Sequence, residues 1–208
     1  MKRDVFVTGT GTGVGKTLLS ALLVAVLNRR YWKPIQTGAG EGTDREMVMQ
    51  WAGVSTASTH PEVFLFDAPV SPHLAAERLN RRIDIKGIRR PADPGPIVIE
   101  GAGGVLVPIS DDAFMLDLMR QLQSDILIAA LSTLGTINHT LLTVSAVRGA
   151  GLDLRGVVVI GHENPDNCRA IERYGSVPVV GVIPWLESID RAVLCDVFEK
   201  YFDKASFA

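Results

Sequence analysis

The chain has 208 residues, 47% of them apolar and 21% charged, and its 21 Lys plus Arg against 23 Asp plus Glu leave a formal charge of −2. A chain of this make-up can bury one sizeable core, which excludes a disordered or fibrous protein. The near-neutral balance also removes the bulk electrostatic case for a nucleic-acid or anionic-membrane partner. One domain spanning residues 1–208 is expected. The two cysteines, Cys168 and Cys195, are too few for a disulfide framework or a four-ligand zinc site and read as the free thiols of a cytoplasmic protein. The basic N-terminus has no apolar core of signal-peptide length, and Leu18–Leu27 is far shorter than the ~20 residues of a membrane span.

In chain order, apolar runs at Val5–Thr8, Pro34–Thr37, Val63–Phe66, Ile97–Glu100, Ile126–Leu131, Gly156–Ile160 and Val179–Ile183 read as strands. Several are apolar at successive positions, as strands buried on both faces of a parallel sheet are. Helical spacing fills the intervals at Lys16–Arg30, from Asp44, and at Asp111–Gln123, Ile137–Arg148, Pro165–Tyr174 and Ile189–Tyr201. Arg89–Pro96 reads as a surface connection. The alternation predicts a three-layer α/β fold with a mostly parallel sheet of about seven strands, with ligands at the carboxyl ends of those strands.

The first strand runs into Gly9-Thr10-Gly11-Thr12-Gly13-Val14-Gly15-Lys16-Thr17 and then a helix. This is a variant phosphate loop: Thr10 stands where the strict pattern has its first glycine. Glycines let backbone N–H groups converge on phosphate oxygens, and the helix N-terminus adds positive potential. Lys16 is placed to reach the β/γ-phosphates and Thr17 to meet Mg²⁺. Two carboxylates complete a candidate metal set. Glu100 ends a buried strand, where a charge is costly unless it meets a cation or donors. Asp44 opens a helix, where it could instead be an N-cap. Lys33, at the start of the second strand, could add positive charge at a transferring phosphoryl group.

These segments together resemble the dethiobiotin synthetase family. Val7–Thr17, Lys33–Gly38, Thr43-Asp44, Pro69–His73, Glu100–Gly104, Leu134–His139 and Ile183–Leu186 match family motifs in family order. The resemblance implies a P-loop NTPase-like fold and a ligase of biotin synthesis. That enzyme closes 7,8-diaminononanoate and CO₂ to a cyclic urea at the expense of ATP, with Mg²⁺ as cofactor. It implies Lys33 and Lys16 as catalytic residues and Thr17, Asp44 and Glu100 as metal ligands. Nucleotide contacts are implied at Gly13, Val14, Gly15, Lys16, Thr17, Leu18, Asp44, Glu100, Gly101, Ala102 and Gly103, and at Ile160, Gly161, Pro184, Trp185 and Leu186. Thr12 and Thr37 are expected at the diamine end of the substrate. Gly135 and Asn138 are expected at its carboxylate, across a homodimer interface. His73 and His139 are expected to be structural. Ile160-Gly161 replace an asparagine with which many members read adenine, so base recognition is expected to rest on backbone groups and Pro184–Leu186. Shortened connections predict a reduced helix between Arg82 and Ile97. The alternative weighed is a nucleotide-switched partition or division-site ATPase acting through protein partners; the signature lysine such proteins carry early in the loop is replaced here by Thr10 and Gly11.

Overall fold

A computed structural model describes residues 3–207. Its elements, in chain order, are β1 (Val5–Gly9), α1 (Lys16–Leu27), β2 (Arg30–Trp32), β3 (Ile35–Thr37), α2 (Asp44–Ala52), β4 (Thr59–His60), β5 (Phe64–Phe66) and α3 (Pro72–Glu77). Then follow β6 (Ile97–Gly104), β7 (Pro108–Ser110), β8 (Ala113–Phe114), α4 (Met115–Leu122), β9 (Asp125–Leu131), α5 (Thr136–Gly149), β10 (Leu154–Ile160), α6 (Pro165–Gly175), β11 (Val179–Ile183) and α7 (Arg191–Tyr201).

Seven strands form the central sheet in the order β11-β10-β9-β1-β6-β2-β4, and every neighbouring pair is parallel. Strand pleating sends alternate residues of each buried strand to opposite faces. Phe6, Ile97, Ile99, Ile126, Ile128, Val157 and Val159 pack against α3, α4, α5 and α6. Val5, Val7, Val98, Leu127, Val158 and Ile160 pack against α1, α2 and α7. Two cores on one sheet make the expected three layers and explain why strands such as Val5–Gly9 carry no polar face.

The number of strands in the sheet is as expected, but two of its members differ. Pro34–Thr37 and Val63–Phe66 do contain strands, yet β3 and β5 pair only with each other. Their places in the sheet go to Arg30–Trp32 and Thr59–His60. Pro34 accounts for the break: without an N–H it cannot continue the β2 ladder, and its carbonyl turns to accept from Val63 and Phe64 N–H (2.9 and 3.0 Å). Lys33 is thereby left at the break, beyond the carboxyl end of β2.

Helix limits shift for similarly local reasons. The helix expected over Lys16–Arg30 stops at Leu27 because Asn28 adopts a left-handed cap, which frees Arg30 to start β2. The helix expected from Asp111 starts at Met115. Residues 108–114 form the β7–β8 hairpin instead, and Asp117 accepts from the Phe114 N–H at 2.8 Å to close the helix start. Between Arg82 and Ile97 a single 3₁₀ turn, Ile85–Gly87, is all that forms.

Candidate functional site

The loop between β1 and α1 is shaped by two glycines with different duties. At Gly9 a Cβ would lie 2.5 Å from Val14 Cγ2, so the residue must be small for Val14 to fold beneath the loop. Gly15 has φ +89°, and a Cβ there would lie 2.6 Å from Ile160 Cδ1. Only glycine meets both demands, and the chain then enters α1 with Lys16 as its first residue.

Lys16 is buried and donates to the Gly11 carbonyl at 2.9 Å. Burial pulls its pKa down to about 8, with nearby Lys33 adding to the effect and Glu100 and Asp44 opposing it. Thr17 Oγ1 donates to Glu100 Oε1 at 3.0 Å. Lys33 Nζ donates to the same Oε1 at 3.1 Å and to Asp44 Oδ2. The remaining Glu100 oxygen, Oε2, accepts from the Tyr31 hydroxyl at 3.0 Å. Glu100 is 1% exposed and Lys33 5%. Burial by itself disfavours the Lys33 ammonium, but Glu100 and Asp44 outweigh it and raise the pKa. Lys33 is therefore a fixed cation at neutral pH.

Asp44 is not the N-cap of α2. That position belongs to Thr43, whose Oγ1 accepts from the Glu46 N–H (3.2 Å) while Glu46 Oε2 accepts from the Thr43 N–H (2.8 Å). Because Thr43 closes the helix, the Asp44 carboxylate is released to Lys33. Its backbone N–H is held by Gln36 Oε1 at 3.2 Å.

These groups line one cleft of about 700 Å³. Of the residues expected at the site, it collects Thr12, Gly13, Gly15, Lys16, Thr17, Leu18, Lys33, Thr37, Asp44, Glu100, Ala102 and Gly103. The others lie outside it. Val14 is buried in the core, and Gly101 backs onto Phe6, whose Cε1 is 2.8 Å from where a Cβ would stand. Ile160 is the floor under Gly15; its carbonyl accepts from Ser132 N–H, and the Gly161 N–H donates to the Ile183 carbonyl. Trp185 is 69% exposed, edge-on to His162 with ring centroids 6.0 Å apart, beside Pro184 and Leu186. Gly135 caps the start of α5, with Asn138 exposed on its first turn. His73 bonds to Ser71 at 3.0 Å and, with His139, stays outside the cleft.

Tyr31, Met47 and Trp51 complete the picture without having been singled out in the sequence, while Gln36, Pro69 and Ser71 fall within the matched segments Lys33–Gly38 and Pro69–His73 but had been given no role of their own. Tyr31 sits in the short stretch Arg29-Arg30-Tyr31-Trp32-Lys33, and nothing local shows that its hydroxyl meets a carboxylate far along the chain.

Thr17, Asp44 and Glu100 offer hard oxygen donors, the kind Mg²⁺ takes. Among the described residues no group of three or more His, Cys, Asp or Glu could hold an ion by itself. The set therefore suits a metal that brings further oxygens with it, as a nucleotide-bound Mg²⁺ does.

Residues 3–193 match a family model described as an AAA domain. The chain is 47% identical over 192 residues to the ATP-dependent dethiobiotin synthetase BioD of Paramagnetospirillum magneticum, covering 92% of this chain and 93% of that one. It is 40% identical over 207 residues to the protein of the same description from Rhodopseudomonas palustris, covering 100% and 97%. Among solved structures, a ParA family ATPase from Chlorobium tepidum superposes with TM-score 0.55 over 95% of this chain and 93% of that one, at 11% identity. A nucleotide-binding protein from Archaeoglobus fulgidus, in complex with ADP, gives 0.54 over 97% and 92%, at 14% identity. Those two likenesses establish the fold.

Proposed function

The chain belongs to the ATP-dependent dethiobiotin synthetase family, and we propose that it acts as a single-domain homodimeric ligase closing 7,8-diaminononanoate, CO₂ and ATP to dethiobiotin, ADP and phosphate. One substrate amine adds to CO₂ and loses a proton, giving a carbamate. A carbamate oxygen attacks the γ-phosphorus, ADP departs, and a mixed carbamic–phosphoric anhydride remains. The second amine attacks the carbonyl carbon and expels phosphate, closing the urea ring.

The observation that carries this reading is the gathering of Lys16, Thr17, Lys33, Asp44 and Glu100 on one cleft at the end of a phosphate loop. No nucleophilic side chain is needed. Lys16 offsets charge on the γ-phosphoryl group, and the loop amides at Gly13 and Gly15 cradle phosphate oxygens. Lys33, kept charged by its carboxylates, stabilises the carbamate and the negative charge that grows during phosphoryl transfer. Thr12 and Thr37 take the diamine end. Thr17, Asp44 and Glu100 would hold Mg²⁺, which when bound supplies charge neutralisation on the β/γ-phosphates.

The substrate carboxylate is assigned to the partner subunit's α5 N-terminus, around Gly135 and Asn138. One feature supports a shared site: Leu134, beside that helix start, is fully exposed, and Leu142 is 63% exposed. A cytoplasmic setting suits ATP and the free thiols Cys168 and Cys195. The base is assigned to the surface formed by Pro184, Trp185 and Leu186.

The test is to incubate the protein with diaminononanoate, bicarbonate, Mg²⁺ and ATP and to follow product mass and phosphate release. Phosphate release that does not require the diamine, with no product of the expected mass, overturns the ligase reading.

A further inference from the structure

Glu100 presents one oxygen to three claimants. Its Oε2 is taken by the Tyr31 hydroxyl inside the core, at 3.0 Å. Its Oε1 faces the cleft and accepts from both Thr17 (3.0 Å) and Lys33 (3.1 Å). Lys33 also holds Asp44. These are the same oxygens to which the preceding reading assigns Mg²⁺.

A divalent ion entering alone would stand beside a fixed ammonium in a site where Glu100, Lys33 and Lys16 are all buried. Repulsion between cations a few ångströms apart is weakly screened there. It would also leave Lys33 without a counterion, and an unpaired buried charge is strongly unfavourable. An ion entering on a triphosphate changes both terms. The phosphates bring negative charge for Lys33 and Lys16, and Asp44 and Glu100 are then free to take the metal.

We propose that Lys33 and a free divalent cation exclude one another at Asp44 and Glu100, so that metal enters this site only together with the nucleotide. Lys33 then has two duties, counterion to the carboxylates beforehand and partner of the phosphoryl and carbamate oxygens afterwards. The inference rests on the assignment of Thr17, Asp44 and Glu100 to the metal.

The experiment measures uptake of Mn²⁺ alone by the full chain, from loss of the free-ion paramagnetic resonance signal, with and without a non-hydrolysable ATP analogue. Wild type and Lys33→Arg, which keeps the charge, should take up Mn²⁺ weakly in the absence of nucleotide. Lys33→Met, and the polar neutral Lys33→Gln should the apolar variant fail to fold, should bind Mn²⁺ at least about tenfold more tightly. Adding Glu100→Gln to either should abolish the gain. With the analogue present, wild type should bind Mn²⁺ tightly. Equal affinity of wild type and the neutral variants for Mn²⁺ alone overturns the proposal, and so does a gain that survives Glu100→Gln. If Glu100→Gln leaves uptake with the analogue unchanged, the metal assignment itself fails. If that uptake needs Glu100 while Mn²⁺ alone is indifferent to Lys33, only the exclusion fails.

Discussion

Replacing Gly15 by alanine probes the mechanical basis of the phosphate loop. The residue has φ +89°, where an L side chain costs about 1–2 kcal/mol. The added methyl also lands 2.6 Å from Ile160 Cδ1 and 3.1 Å from its Cγ2. Ile160 is 6% exposed and packed in the core, so it cannot simply swing away. Overpacking of this kind costs about 1–3 kcal/mol. Gly15→Ala should therefore lower the unfolding free energy by about 2–5 kcal/mol. The two parts are separable. Ile160→Val removes Cδ1 and by itself costs about 0.5–1.5 kcal/mol. In the double variant the clash is relieved and the backbone strain remains, so the pair should be less destabilising than the sum of the singles by about 1–2 kcal/mol. Urea unfolding monitored by circular dichroism, with an unchanged m-value, gives the four free energies. Additive effects, or a Gly15→Ala cost below about 0.5 kcal/mol, would show that Ile160 does not support the loop.

Lys16→Ala should weaken nucleotide binding and turnover together, whereas Lys33→Ala should chiefly lower kcat; near-normal turnover of Lys33→Ala refutes its assignment. Lys16 also has a pH signature in nucleotide- and metal-free buffer. Its folded pKa, about 8, lies below the ordinary 10.5, so between these values the unfolded chain binds the extra proton and stability rises with pH. Lys16→Met should be more stable than wild type at pH 7, by about 2–3 kcal/mol, with the difference shrinking from pH 8 towards 10.5; a constant difference in urea midpoints across that range contradicts the depressed pKa. For the shared site, mixing Lys33→Ala subunits with Asn138→Ala subunits should restore part of the activity, and mixed dimers that stay inactive count against it. Finally, the wild type should accept GTP and CTP with kcat/KM closer to ATP than relatives carrying the asparagine do. Ile160→Asn, which buries an amide beneath the loop, should lower stability rather than create a preference; a sharpened ATP preference in a stable variant would mean that position 160 faces the base.

What the sequence by itself determined is what local chemistry fixes. Doubly buried strands such as Val5–Gly9 and Ile126–Leu131 have no polar alternation to misread, and Gly-Lys-Thr at a strand–helix junction has one physical use. Family motifs in order supplied the ligase reading and gave roles to Lys33, Asp44 and Glu100, which their places at strand ends and a helix start had already nominated. Tertiary structure decided which strands share a sheet. Pro34 withdraws a hydrogen bond, so β3 leaves the sheet and Arg30–Trp32 joins it, and a strand this short gives no period-two signal. It also decided which group caps α2: Thr43 and Asp44 both can, and the reciprocal Thr43–Glu46 bonds take the cap while Lys33 draws Asp44 away. It packed the Ile160 side chain as the floor beneath Gly15. And it brought the Tyr31 hydroxyl to Glu100, a pairing between residues 69 positions apart. Buried charge must find its partners in space, and those partners come from whichever strands the sheet sets side by side.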